Sequence, residues 1–317
     1  MTIFLLRRLL TLGVTLLVAS FIVFLVLEVI PGDPAAMMLG ISARPDTLAA
    51  LRAEMGLDLP AMSRYIAWIL GLLRGDLGNS YTYGVPVSEL VAERVMISLP
   101  LALFAIALST LIGIPVGVWA ASHHNKPTDV SVMGVSQLAV AIPNFWFAIL
   151  LILLFAVKLH WFSAGGFAGW ENGFWGAMKS LLLPAIALAL PQAAILARVT
   201  RSSVLDVLGE DYIRTARAKG LGKSAALWRH GVRNALIPVV TIMGLQFSFL
   251  LAGTIIIENV FYLPGLGRLI FQAIAQRDLI VVKDLIVLLA GTVVVVNFIV
   301  DMLYAVLDPR LRGGGHG

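Results

Sequence analysis

The chain has 317 residues, 59% hydrophobic and only 13% charged, with a mean hydropathy of +0.93. Soluble domains carry roughly 25% charged residues, so a water-soluble fold of this length is excluded and lipid must solvate much of the surface. The formal net charge of +5 is the Lys and Arg excess of cytoplasmic loops rather than a nucleic-acid footprint, and the lack of cysteine excludes disulfides, thiolate catalysis and Cys-bound metals.

In chain order, six apolar stretches reach the ~20 residues that a bilayer core requires: about 9–30, 97–121, 130–157, 180–200, 235–258 and 285–307. Their unbroken hydrophobicity lacks the alternation of barrel strands, so an all-α polytopic membrane fold is predicted. Pro115, Pro143 and Pro191 fall inside spans and predict kinks or unwound turns. Arg7 and Arg8 precede the first run, which is too long for a signal-peptide core and lacks a small-residue cleavage site, so it reads as a retained span. With both termini in the cytoplasm, that side collects thirteen of the 23 Lys and Arg residues, the orientation the positive-inside rule favours.

The parts divide as a first transmembrane helix 1–30, a periplasmic segment 31–96, a five-helix core 97–309 with a cytoplasmic loop 201–234, and a cytoplasmic tail 310–317. In the periplasmic segment Asp46 is expected to cap a short helix with Leu48, Leu51 and Met55 on one face and Gly56 as its stop. Pro60 opens a second helix, with Met62, Ile66, Ile69, Leu70 and Leu73 on its packing side. The segment reads as a small helical lid over the outer span ends. The PGLG run 264–267 is expected to form a turn with left-handed glycines between spans five and six. His123 and His124 have no third ligand at metal spacing and read as a solvated loop pair.

The loop 201–234 carries the most informative pattern, with Arg214, Arg217, Lys219, Lys223, Arg229 and Arg233 set between two spans. A helix opens at Glu210–Asp211, whose acids suit the positive end of the helix dipole while Arg217 and Lys219 suit the other. Glu210 and Arg214 are spaced to pair, and Tyr212, Ile213, Ala216 and Gly220 share a stripe small enough to enter a groove. Gly220 and Gly222 end the helix, and Ser224 caps the next, over 225–235. Such a basic helix fits either an anionic membrane surface or a docking protein.

The wording DYIRTARAKGL…RHGVRNALIPVVT resembles the cytoplasmic coupling loop of binding-protein-dependent ABC importer permeases, specifically the dipeptide/oligopeptide permease B-like group that serves peptides, opines and nickel. Arg214, Thr215 and Ala216 occupy the positions of that superfamily's "EAA" signature and Gly220 its glycine. His230, Gly231, Val232 and Arg233 depart from the generic pattern where the peptide and nickel variant also departs. PGDP (31–34), GLDLP (56–60), GDLGNSY (75–81), TRSSVLDVLGEDY (200–212), FYLPGLGRL (261–269) and VDMLYAVLDPRLR (300–312) extend the similarity over nearly the whole chain.

The resemblance implies a multi-pass subunit of the bacterial inner membrane that pairs with a second homologous permease, two ATPase subunits and a periplasmic solute-binding protein. It implies ATPase-coupling roles for Glu210, Asp211, Tyr212, Arg214, Thr215, Ala216, Arg217 and Gly220. No cofactor is expected on this chain; ATP and Mg belong to the partner subunits, and the chain is not itself an enzyme. No Walker glycine precedes GKS at 222–224.

Intramembrane polar groups are costly and are therefore candidates for the translocation path. Glu28, Asn144, Gln246, Glu258 and Asp301 are singled out, with interhelical bonding as the competing role; Gln137 and Asn297 favour that second role. Glu28, Glu258 and Asp301 are the only acids expected inside the spans, the first two near the outer boundary, where they would stay hydrated. If one of them carried protons, the chain would be an ion-coupled secondary transporter instead. A scaffold that recruits proteins through the basic loop is a third reading, and nickel, opine or glutathione transport is an alternative to peptides within the family.

Overall fold

The computed structural model describes residues 2–29, 34–39 and 44–307; most of the PGDP run and the tail 310–317 lie outside them. The described residues are helical apart from turns and one isolated bridge between Asn79 and Pro86. The helices are α1 (Thr2–Val29), α2 (Pro34–Leu39), α3 (Pro45–Glu54), α4 (Ala61–Arg74), α5 (Val87–Ser122), α6 (Pro127–Ala141) and α7 (Asn144–Leu151, continued by π turns over Ile152–Lys158). They continue with α8 (Phe174–Gly209), α9 (Asp211–Ala218), α10 (Lys223–Ala226, continued by π turns over Leu227–Val232), α11 (Arg233–Val260), α12 (Leu266–Gln276) and α13 (Leu279–Leu307). Among the described residues five helices are long and apolar enough to cross a membrane, and α6 with the α7 run makes a sixth candidate, bent by 98°. The kink expected at Pro143 is this bend: Ile142 precedes Pro143 and both take extended backbone angles. By contrast, α5 and α8 run unbroken through Pro115 and Pro191.

The chain divides into two compact units, residues 1–97 with 264–295 and residues 98–263 with 296–317. In the first, α1 leaves Leu10, Val14, Val18, Ile22 and Val26 exposed, as a lipid-facing helix must. Its Phe21 meets Tyr65 of α4 edge-on, and Phe24 meets Tyr65 at a tilt and stacks on Trp68. That contact decides which side of α4 turns inward: Tyr65 and Trp68 are half-buried, whereas of the predicted packing residues Ile69 is half-buried and Met62, Ile66, Leu70 and Leu73 are exposed. Trp68 donates to Asp284 Oδ1 at 2.6 Å, and Lys283 Nζ lies 4.6 Å from the Trp68 ring centre. Asp46 does not cap α3; it sits in the first helical turn and pairs with Arg44. Buried Asp278 accepts from Ser80 Oγ at 2.5 Å and from the Thr82 amide at 3.0 Å, which fixes the 79–86 loop. Burial, with the Asp278 charge nearby, pushes the Tyr81 hydroxyl up to about 12.

Helix α12 is not anticipated from the sequence, although Leu266, Leu269, Ile270 and Ala273 are buried at helical spacing. The PGLG glycines do not turn left-handed. Gly265 is the extended cap before α12, and the positive φ belongs to Tyr262.

In the second unit α8 is the central element, packed against α6, α7 and α11. Two-thirds of its apolar span is buried, and Ala185, Ala187, Ala189, Ala193, Ala194 and Ala197 supply much of that surface. Helix α5 approaches it through Gly113 and Gly117, one turn apart. A Cβ on Gly113 would lie 2.8 Å from the Ala193 carbonyl oxygen, and one on Gly117 would lie 2.7 Å from Thr200 Cβ. Gly117→Leu is expected to lower the thermal midpoint of the purified protein by the equivalent of about 1–3 kcal/mol. Gly134→Leu, where an added Cβ meets nothing within 4 Å, is expected to be neutral; equal midpoints for the two variants would refute the close crossing.

Candidate functional site

The segment after α8 forms a corner and a short helix. Glu210 is extended (φ −67°, ψ 147°) and caps α9 without a side-chain bond. Ile213 is buried against the chain's own helices, so it anchors α9 rather than entering a partner's groove. Tyr212 is exposed but tied back to the chain: its hydroxyl accepts from Asn234 Nδ2 at 2.7 Å, and its ring meets His230 edge-on. Ala216 is half-buried, while Glu210, Asp211, Arg214, Thr215, Arg217 and Gly220 are exposed. Arg214 pairs with Asp211 at 3.2 Å and not with Glu210, because both side chains of the closer pair lie on the outer face. Gly220 has φ +96° and open space where a Cβ would be. Its glycine is required by the backbone, and its surroundings are free for another molecule.

Beneath α9, Val118 and Ala121 of α5, Val204 of α8, Leu227 and Ala235 form a small apolar core. Ser224 lies inside α10 rather than capping it, and from Lys223 the chain is helical through to Val260. The 201–234 stretch is therefore less of a loop than its polarity suggests. Its first nine residues, through Gly209, prolong α8, and its last two begin α11.

Close by in the fold, Asp129 is 2% exposed and receives Arg201 through Nε at 2.6 Å and Nη2 at 2.7 Å. The Asn125 amide donates to the same carboxylate at 3.1 Å. Arg201 Nη2 also donates to His124 Nδ1 at 3.1 Å, and His123 packs on Trp119. The histidines lie in the turn after α5, His124 exposed as a loop residue is and His123 half-buried, with both held by these contacts. The sequence reading missed this clamp because its members lie 72 residues apart.

The polar path candidates sit in varied settings. In the first unit Glu28 is paired with Arg64. In the second, Glu258 is fully buried and accepts from Ser98 Oγ at 2.5 Å; the expectation that it stays hydrated is not met. Gln246 is buried, donates from Nε2 to the Gln192 carbonyl at 2.9 Å, and leaves Oε1 without a partner among the described residues. Asn144 is half-buried at the first position of α7, just past the bend, and Asp301 is half-buried on α13. Gln137 accepts from Arg198 at 3.1 Å, and Asn297 from Ser248 at 3.1 Å, the interhelical role expected of both. Because α13 begins at Leu279, Asp284 also lies within a candidate span, so the three expected acids are not the only ones.

Arg201→Gln removes the guanidinium from a buried carboxylate, a loss expected to cost about 3–5 kcal/mol. Adding Asp129→Asn to it should recover part of that loss. Thermal unfolding of the two variants checks this; an unchanged midpoint in Arg201→Gln would show that the pair is not buried as described.

A model of the family "Binding-protein-dependent transport system inner membrane component" matches residues 113–313, and its N-terminal companion matches residues 1–102. A Brucella abortus protein named for a peptide transport system permease is 42% identical over 312 residues, 98% of this chain and 99% of the relative. The glutathione transport system permease protein GsiC of Salmonella paratyphi A is 39% identical, with 98% of each chain covered. Among solved structures, the inward-facing MetNI methionine ABC transporter aligns with 69% of this chain and 96% of its own at a TM-score of 0.57 and 18% identity, a likeness of fold.

Proposed function

The chain belongs to the family of binding-protein-dependent transport system inner membrane components, and we propose that it is the permease subunit of an ABC importer for short peptides or a related small solute. Its relatives are permeases along their full length, and the match to the Brucella abortus protein carries the choice of peptides. The similar match to a glutathione permease fits a small γ-linked peptide equally well as cargo. A periplasmic binding protein delivers the solute, a second permease completes the pathway, and two ATPase subunits supply the energy. Both termini, together with α9, face the cytoplasm in this reading.

Helix α9 is the proposed ATPase contact. Its outer face offers Asp211, Arg214 and Thr215 beside the open Gly220 turn, while Ile213 and Tyr212 hold it to α8 and α11. A rigid-body push on α9 would therefore reach both helices, the kind of bistable repacking on which alternating access depends. Gly220→Asp places bulk and charge at the open turn. It is expected to abolish uptake and solute-stimulated ATP hydrolysis while the permease still reaches the membrane. Normal uptake by the assembled complex would place Gly220 away from the interface.

The competing ion-coupled reading requires a carboxylate that binds and releases protons. Uptake into sealed vesicles reconstituted with all subunits is expected to need ATP and no pH gradient. It should persist, at reduced rate or affinity, in Glu28→Gln, Glu258→Gln, Asp284→Asn and Asp301→Asn. Wild-type uptake driven by a proton gradient alone would overturn the ABC reading.

A further inference from the structure

Behind α9 lies a cavity of about 750 Å³, lined by Pro115, Val118, Trp119, Ala121 and Ser122 of α5, Leu208 of α8, Ile213 and Arg217 of α9, and Ser224, Ala226, Leu227 and Trp228. Its volume is within the ~300–1,000 Å³ usual for ligand pockets. Two features define its chemistry. The walls are apolar except for the hydroxyls of Ser122 and Ser224 and a single charge, Arg217, with no acid among them. Two indole rings stand at it half-open, Trp119 at 46% and Trp228 at 61% exposure. Lys219, Arg229 and Arg233 are exposed on the same insert and add positive potential around it.

We propose that this cavity seats one anionic phospholipid, with an acyl chain between Trp119, Leu208 and Leu227 and the phosphate at Arg217. An acidic peptide would find one cation in an otherwise apolar chamber, whereas a lipid matches both parts. Indole rings are favoured where an apolar body meets a hydrated headgroup zone, and a cytoplasmic leaflet supplies the anionic lipid. The placement rests on the reading that α9 faces the cytoplasm. Because Ile213 and Arg217 stand one turn apart on the inner side of α9, an occupant would press on the helix proposed to meet the ATPase.

The test is tryptophan quenching in nanodiscs of phosphatidylcholine doped with either dibrominated phosphatidylglycerol or dibrominated phosphatidylcholine. It is run on the purified full chain and again on the assembled transporter, so that loss of the ABC reading would leave the first measurement intact. Trp119→Phe and Trp228→Phe isolate the two reporting indoles by difference. One basic side chain near an anionic headgroup should give about a fivefold preference for the glycerol lipid. Arg217→Gln should remove the preference, and Arg229→Gln, the same charge change outside the lining, should keep it. Equal quenching by both lipids would overturn the site. So would an equal loss of preference in the two arginine variants, which would mean diffuse surface charge. Disappearance of quenching in the assembled transporter would also overturn it, because a protein partner would then fill the cavity.

Discussion

The close crossing of α5 on α8 is the constraint from which the second unit follows. Between helices in lipid there is no hydrophobic drive to association, so contact depends on van der Waals fit and on backbones that approach closely. Gly113 and Gly117 supply that approach on one side, Ala193 and Ala197 on the other. Any larger side chain at either glycine would meet backbone rather than a movable side-chain end. With its alanine-rich surface engaged by α6, α7 and α11 as well, α8 runs as one helix beyond the apolar region to Gly209. Helix α9 therefore hangs from a core helix by a single extended residue, Glu210. Displacement of α9 has a short path into the packed interior, with Tyr212–Asn234 as a parallel tie to α11.

Several polar groups in the second unit tie one helix to another. The Asp129–Arg201, Arg198–Gln137, Ser98–Glu258 and Ser248–Asn297 bonds each join side chains from different helices. An isolated charge in such surroundings would neutralise or draw in water, and the Arg201 fork makes that unnecessary for Asp129. Gln246 differs, since its acceptor oxygen is buried without a partner among the described residues. An unmet acceptor of this kind costs about 1–3 kcal/mol. Of the path candidates it therefore retains clear hydrogen-bonding capacity for a second conformation or a passing amide.

The spans, helix α9 and the glycine stop at Gly220 were legible because each rests on local chemistry: apolar length, dipole-matched charge and a left-handed backbone. Helix ends were not. Hydropathy marks where lipid begins, whereas α8 and α5 continue as helices into polar sequence, so Arg201 and Glu89 lie in helices that the apolar count stops short of. The inward face of α4 was misjudged for a related reason. Its sequence offers two apolar sides, and the choice was made by Phe21 and Phe24 of α1, whose rings pack against Tyr65. Pairings such as Asp129–Arg201 and Asp278–Ser80 span long separations, and neither residue type nor spacing marks them in a single sequence. For Glu258, nearness to a span end suggested water, but burial depends on which neighbours cover that end.

The bend at Pro143 gives Asn144 a different standing from the other path candidates. Pro143 has no amide hydrogen, and the extended Ile142 beside it interrupts the helical ladder, so backbone carbonyls of the last α6 turn lose their usual donors. Inside a membrane such irregular backbone persists only where it is buried in protein or borders water. Here α7 packs on both α8 and α11, while Ala141 and Pro143 at the bend itself are exposed, so this chain covers the stretch only in part. Asn144, at the first position after the break, combines two donors and an acceptor on a short side chain. Gln137, two turns earlier, is already engaged by Arg198. The position of Asn144 is thus set by the backbone itself: wherever the α6–α7 bend is accommodated, an amide side chain stands beside it.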